Sequence, residues 1–365
     1  MMIYGNDQLT RAIEGNMSII RDMAERDFEQ LVVCRDRARG LRSVIAVHNT
    51  ALGPALGGIR IKRYRTDVEA AQDAMNLAEA MTYKAALAGL RLGGGKSVIN
   101  ADPASQKTRD LLIAHAEYIN TLGGRYIPAV DSGTTVADLA LIADHVPLVS
   151  SQQRDPSYFT AIGVFSSMQA AVQQANLGEL RGARVGVQGA GHVGMYLVEL
   201  LADAGAKVVV ADLDADRVRM ACEKYGATAE DPAEILAADL DIAAPCGLGG
   251  TVDEQAAETM KAPVIVGAAN NILADAGVAD VLTRRGIVYV PDFIANAGGL
   301  MACEAELRCD DDGLEDRVRR IGDTAAQVLR EAASTQCDTV SVALRFARER
   351  IAAAPAPAPG PYFPR

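Results

Sequence analysis

The chain has 365 residues, 49% of them hydrophobic, 23% charged and only 4% aromatic, with no Trp and a formal net charge of -11. Such a length accommodates two domains of ordinary size, whose cores must be built from Ala, Val, Leu and Gly. The negative balance, unrelieved by any long Lys/Arg run, excludes nucleic acid and anionic membranes as natural partners and leaves small-molecule chemistry as the expectation.

In chain order, MSIIRDMAERDFEQLV near the start has the apolar spacing of an extra helix. From Leu31 to Val47 two β-rich runs flank a charged, Gly-containing turn, which predicts an antiparallel hairpin with an edge free to pair. From Asp67 to Ala88, Ala71, Met75, Ala78 and Met81 or Thr82 recur at helical spacing. That helix is expected to end near a loop containing Gly93, Gly94 and Gly95, followed by the short strand KSVIN. A second helix, Thr108 to Leu122, stops at Gly123-Gly124 and leads into YIPAVD, a strand ending in Asp131.

From Arg184 the rhythm becomes β-α-β: RVGVQGAG, a helix from His192 to Ala204, then AKVVVADLD. The runs DIAAPC, PVIVGAAN and GIVYVPD follow as short apolar strands, which is the pattern of a doubly wound parallel sheet. Helical patterning returns from Asp316 to Ala353, and the tail PAPAPGPYFPR is too Pro-rich to fold alone. The six cysteines show no CxxC and no Cys/His cluster, so free thiols and no metal site are expected. The first residues lack the apolar stretch of a secretion signal and no run reaches membrane-spanning length, so the cytoplasm is the expected compartment.

Gly189, Gly191 and Gly194 form GAGHVG between a predicted strand and helix, and Asp212 closes the next strand. The first glycine permits the tight turn, the second lets backbone approach a pyrophosphate, and the third lets helix and strand pack closely. The helix N-terminus offers free N–H groups to phosphate. Asp212 suits ribose hydroxyls and repels a 2′-phosphate, so NAD rather than NADP is the expected cofactor, in a Rossmann-type fold.

Lys84 ends a largely apolar helix and Lys96 directly follows three glycines. A buried ammonium loses hydration, and two close together repel, so one lysine should titrate low enough to act as a base while the other binds a carboxylate. Asp131 adds a carboxylate at a strand end, where open α/β sheets place ligands. His48, His115 and His145 sit in no catalytic pattern.

ALGPALGGIR (51–60), MTYKAALAGLRLGGGKSVI (81–99), the Asp131 segment, GAGHVG, GAANN (267–271) and PDFIANAGG (291–299) resemble, in this order, the glutamate/leucine/phenylalanine/valine dehydrogenase family. Within it the chain is most similar to the valine and leucine dehydrogenases. The resemblance implies an α/β protein of two domains: 1–145 plus 325–365 for substrate binding, catalysis and oligomerisation, and 146–324 as the Rossmann-type, doubly wound NAD-binding domain. It implies reversible oxidative deamination of a small apolar L-amino acid to its 2-oxo acid, with a domain closure that excludes bulk water, in a homo-oligomer.

By the same resemblance, Lys84 binds the substrate carboxylate with Gly57, Gly58 and Asn271; Lys96 activates water; and Asp131 exchanges a proton with the amine and stabilises the iminium. Leu56, Ala129, Leu300 and Cys303 would surround the substrate side chain. None is charged, which disfavours glutamate. Valine, leucine, isoleucine and an aromatic acid all stay open. The coenzyme would lie against Gly189, Ala190, Gly191, His192, Val193 and Gly194, against Asp212 and Leu213, and against Ala244, Pro245, Cys246, Ala268 and Asn270. Thr160 and Asn296 would flank its nicotinamide. VSSQQRDPSYFT (149–160) departs from the family's Gly-rich stretch there. The competing classes are a methylenetetrahydrofolate-type dehydrogenase, disfavoured by the paired lysines with Asp131, and a catalytically silent NAD-binding protein.

Overall fold

A computed structural model describes residues 19–150 and 155–355. The Pro-rich tail beyond 355, the start of the N-terminal helical pattern and 151–154 of the divergent segment lie outside the described residues. The chain divides into two units, one of 19–82, 91–149 and 354–355, the other of 83–90, 150 and 155–353.

The first unit opens with a helix whose described part is 19–25 (α1). The hairpin follows as β1 (Gln30–Asp36) and β2 (Leu41–Asn49), antiparallel, with Leu31 opposite Ala46. Then come β3 (Ala55–Lys62), α2 (Asp67–Leu87), β4 (Gly93–Asn100), α3 (Arg109–Asn120), β5 (Tyr126–Val130) and α4 (Val136–Ala143). The strands form one mixed sheet of order β1-β2-β4-β3-β5, in which β4, β3 and β5 run parallel. Thr108 caps α3 by accepting from the Leu111 N–H, and Thr135 and Asp138 close a capping box on α4, so both helices start where side-chain oxygens satisfy their free amides.

Alternation along the strands separates two faces. Ile45, Val47, Ile59, Ile61, Ile99 and Tyr126 pack with α3 and α4 residues such as Leu111, Leu112, Ile119 and Ile142. On the other face Val44, Ala46 and Val98 pack with Ala71, Ala74, Met75 and Ala78 of α2. The helical spacing expected for α2 is thus the spacing of its buried stripe.

The glycine triplet is not a loop. Gly93, Gly94 and Gly95 are the first residues of β4, and what crowds them is the chain itself rather than a ligand. A Cβ on Gly94 would stand 2.2 Å from the Thr82 amide nitrogen and 2.4 Å from the Ala78 carbonyl oxygen. One on Gly95 would meet the Tyr126 ring at 2.8 Å. We expect Gly94→Ala to destabilise the protein by at least ~1 to 3 kcal/mol, because backbone has to move. A melting temperature equal to the parent's would show that α2 does not lie on this strand.

The second unit contains α5 (Pro156–Gln174), β6 (Arg184–Gln188), α6 (His192–Asp203), β7 (Lys207–Ala211), α7 (Ala215–Tyr225), β8 (Thr228–Ala229), β9 (Ile242–Pro245), α8 (Glu254–Thr259), β10 (Val264–Ile265), α9 (Gly277–Arg284), β11 (Val288–Tyr289), α10 (Asp292–Ala295), α11 (Gly298–Arg308), α12 (Leu314–Arg319), α13 (Ile321–Thr335) and α14 (Thr339–Ala352). All its strand pairs are parallel, in the order β11-β10-β9-β6-β7-β8. The winding reverses beside β6, between it and β9, which is where doubly wound sheets receive ligands. The helical stretch expected from Asp316 is three helices, broken at Arg320 and at Gln336, whose φ of 56° ends α13. These helices group with the second unit, where α13 lies against α5, whereas the sequence assigned 325–365 to the first.

Candidate active site

The parallel strands β3, β4 and β5 bring one set of functional residues onto the α2 face of the first sheet. Strand register aligns Gly58 with Ala129, and Arg60 with Val98. Lys96 stands between Gly94 and Val98 on β4, and Asp131 follows the last residue of β5. Lys96 is 7% exposed, and its Nζ lies 2.7 Å from Asp131 Oδ2. Arg60 donates from Nε to the same oxygen at 3.1 Å and from Nη1 to Asp73 Oδ2 on α2 at 3.2 Å. The Tyr64 hydroxyl donates to that Asp73 oxygen as well.

Burial dominates the electrostatics. It pulls the Lys96 ammonium well down from the ordinary lysine range; Asp131 offsets part of this, and the Arg60 charge adds to it. Burial pushes the Asp131 carboxyl up, but Lys96 and Arg60 together outweigh that and hold it below its usual value. The result is a carboxylate biased towards its ionised form in contact with an amine biased towards losing its proton. The Arg60 charge, to which the sequence reading gave no role, is thus one of the influences that lower Lys96.

Gly58 has a specific reason to be glycine. A Cβ there would sit 2.5 Å from Asp131 Cβ. The backbone of Asp131 is fixed in turn by Thr134, whose hydroxyl accepts from the Asp131 N–H at 2.9 Å. Behind Gly57, the Tyr126 hydroxyl donates to the Gly57 carbonyl at 2.7 Å and lies 3.2 Å from Ser97 Oγ, which contacts fully buried His115. Burial drives His115 down to about 3, so it stays neutral and structural. Leu56 and Ala129 are buried, at 2% and 7% exposure.

Lys84 stands in the last turn of α2, half-buried, and belongs by its contacts to the second unit. Leu300 and Cys303 lie on α11 of that unit, Leu300 buried and Cys303 half-buried. The candidate set is therefore carried by both units, with Lys96, Asp131, Gly57, Gly58, Leu56 and Ala129 assembled on the first.

In the second unit the glycine motif joins β6 to α6. Gly189 has φ 102°, and a Cβ there would meet Gly247 backbone at 2.6 Å; one on Gly194 would meet the Gly189 carbonyl oxygen at 1.9 Å. A Cβ on Gly191 would meet nothing within 4 Å, so this position faces open space beside an α6 N-terminus that no side chain caps. Ala190 donates its N–H to Asp212 Oδ2 at 2.6 Å, which ties the loop to the end of β7. Exposed His192 and half-buried Val193 open α6.

Leu213, directly after Asp212, is 91% exposed, and Leu248, just past β9, is 79% exposed. Ala244 and Pro245 close β9 within the core, and burial pushes the Cys246 thiol up to about 12, so it is no nucleophile. Asn296 donates from Nδ2 to the Ala268 carbonyl at 3.1 Å and to Asn270 Oδ1 at 2.9 Å, while its own buried Oδ1 has no partner among the described residues. Thr160 donates to the Pro156 carbonyl within α5 and lies against Gly299. Asn271 adopts φ 53° and donates its N–H to Asp292 Oδ2 at 2.9 Å.

Residues 29–147 match the model of the Glu/Leu/Phe/Val dehydrogenase dimerisation domain, and 153–217 with 210–356 match the Glutamate/Leucine/Phenylalanine/Valine dehydrogenase model. The chain belongs to this dehydrogenase family. It is 41% identical to a leucine dehydrogenase of Geobacillus stearothermophilus over 92% of this chain and 94% of that one. It is also 41% identical to a valine dehydrogenase of Streptomyces virginiae over 94% of this chain and 99% of that one. Among solved structures, the L-tryptophan dehydrogenase of Nostoc punctiforme superposes with a TM-score of 0.84 at 35% identity, covering 92% of this chain and 99% of that one. As a member of the family the chain is an amino-acid dehydrogenase.

Sequence reasoning passed over four residues that the structure places beside the candidate site residues. Arg60 stood inside a quoted motif without a role, and its basic side chain two residues after Gly58 was the available signal. Asp73 gave none, since it is one of four acids on α2, while Asp292 stood inside the quoted PDFIANAGG motif without a role. Leu248 was hidden in a Gly-rich stretch.

Proposed function

We propose that this amino-acid dehydrogenase uses NAD to oxidise a branched-chain aliphatic L-amino acid, with Lys96 as base, Asp131 as the carboxylate that handles the amine, and Lys84 as the partner of the substrate carboxylate. The observation that carries the reading is the Lys96–Asp131 contact at 2.7 Å, buried on the parallel strands. Bound NAD would supply the acceptor for the hydride leaving Cα. Gly191, free of neighbours, and the uncapped start of α6 suit its pyrophosphate. Exposed Leu213 and Leu248 suit an adenine, and the unpartnered Asn296 Oδ1 suits the carboxamide N–H of nicotinamide. Asp212 disfavours a 2′-phosphate, and the nearby Arg217 is paired with Asp214 at 3.2 Å.

The chain's own groups then act in turn. The ionised Asp131 stabilises positive charge developing on the substrate nitrogen. Lys96, whose burial favours loss of its proton, takes a proton from the water that attacks the same carbon. Asp131, having taken a proton from the substrate amine, returns it as the amine departs. Leu56, Ala129, Leu300 and Cys303 offer no cation, and Arg60 is committed to two carboxylates, so an acidic side chain would lack a partner.

The family's dimerisation domain and the edge position of β1, with Val33 73% exposed, support a homo-oligomer. Six unpaired cysteines are consistent with a reducing cytoplasm. No helix among the described residues is long and apolar enough to cross a membrane.

The test is NADH absorbance with a panel of L-amino acids and both coenzymes. Valine, leucine and isoleucine are expected to exceed glutamate by at least about 100-fold in kcat/KM, and NAD to exceed NADP. Preference for phenylalanine or tryptophan would move the assignment to aromatic acids, while turnover of glutamate alone would defeat the pocket assignment.

A further inference from the structure

The two cations on Asp131 differ in kind. Lys96 has to change its protonation state while it works, so its hold on the carboxylate varies through the cycle. Arg60 keeps its charge at every accessible pH. It is also anchored from behind, since Asp73 on α2 takes Nη1 while Nε remains on Asp131. Both cations use the same carboxylate oxygen, Oδ2.

We propose that Arg60, braced by Asp73, is a positioning residue for the reaction: it holds Asp131 by Oδ2 whatever the state of Lys96 and leaves Oδ1 for the substrate amine. The inference rests on the amine-handling role given to Asp131 above. Around that carboxylate stand Lys96 on β4, Arg60 on β3 and Tyr126 on β5, with Asp73 on α2 and Tyr64 one step further out. With Lys96 neutral, the cluster of Arg60, Asp131 and Asp73 carries a net charge of about -1. Without Arg60 it would carry about -2, a field in which Lys96 keeps its proton to higher pH. Without Asp73 the field changes in the opposite sense.

The experiment is the pH profile of kcat/KM for oxidative deamination by the full-length enzyme, with melting temperature and coenzyme KM recorded for each variant. Arg60→Gln is expected to lose about 10- to 100-fold in kcat and to move the acid limb to higher pH. Asp73→Asn should lose less and move the limb to lower pH. Arg60→Lys, which keeps the charge but not the two-armed reach, should hold the limb near its original place while kcat falls. The proposal is overturned if the limbs of Arg60→Gln and Asp73→Asn coincide with the parent's or move the same way, or if activity falls only as folded protein is lost. Full activity in Asp131→Asn would remove the role of Asp131 itself and this inference with it.

Discussion

Lys96→Ala is expected to lower kcat for oxidative deamination by about 1,000-fold, within the range that a positioned proton acceptor contributes, and to leave coenzyme KM unchanged. Lys96→Arg should not restore the rate, because a guanidinium does not surrender its proton near neutral pH. The sign of the pH dependence follows from burial. The Lys96 ammonium is held below the ordinary lysine range, so the parent's rate should rise with pH through that depressed value. The reverse reaction, which needs the proton on Lys96, should fall over the same interval. Steady-state NADH formation measures the loss, since the water attack assisted by Lys96 follows hydride transfer and limits turnover in the variant. A variant within tenfold of the parent would remove Lys96 from the role of base.

Asp131→Asn should cost kcat as heavily, about 100- to 10,000-fold, since an amide neither takes the amine's proton nor offsets a cationic iminium. Its stability effect has a direction as well. The Asp131 carboxyl is held below its usual value in the folded chain. Its contribution is therefore fully present above the carboxyl's unfolded value and is lost as pH falls through the folded one. The parent should melt higher than the variant near neutral pH, and the gap should close in acid. Removing one partner of a buried ion pair costs about 3 to 5 kcal/mol when the other stays charged. Lys96 can discard its proton, so the loss should fall short of that range. Circular dichroism melts at pH 7 and pH 3 decide it; a gap that widens in acid would contradict the pairing of Asp131 with Lys96.

The parts of this protein that were legible beforehand are those whose physics is local. The hairpin, α2 and α3 follow from periodicity and turn residues, and the glycine motif with Asp212 follows from the geometry a strand-to-helix turn imposes. What escaped was tertiary. Gly57 and Gly58 concealed β3, because glycines suggest a turn until a partner strand is seen packing against them. Gly93 to Gly95 looked like a loop for the same reason, although they make room for the α2 backbone and Tyr126. The identity of the cation acting on Lys96 depends on strand register, which aligns Arg60 with Val98 on the neighbouring strand. The site lysines and Asp131 could be named from the family resemblance, but not the network that ties Asp131 to a helix.

Alternation along β3 has a practical consequence. Ile59 and Ile61 point into the apolar layer beneath α3 and α4, while Gly58 and Arg60 lie against Asp131 on the other face. A residue-by-residue scan of this one strand should oscillate with period two, heat resistance failing at one position and turnover at the next. Directed evolution thus has a map here: Ile59 and Ile61 carry heat resistance and are to be left alone, while changes at Gly58 and Arg60 are read out in turnover.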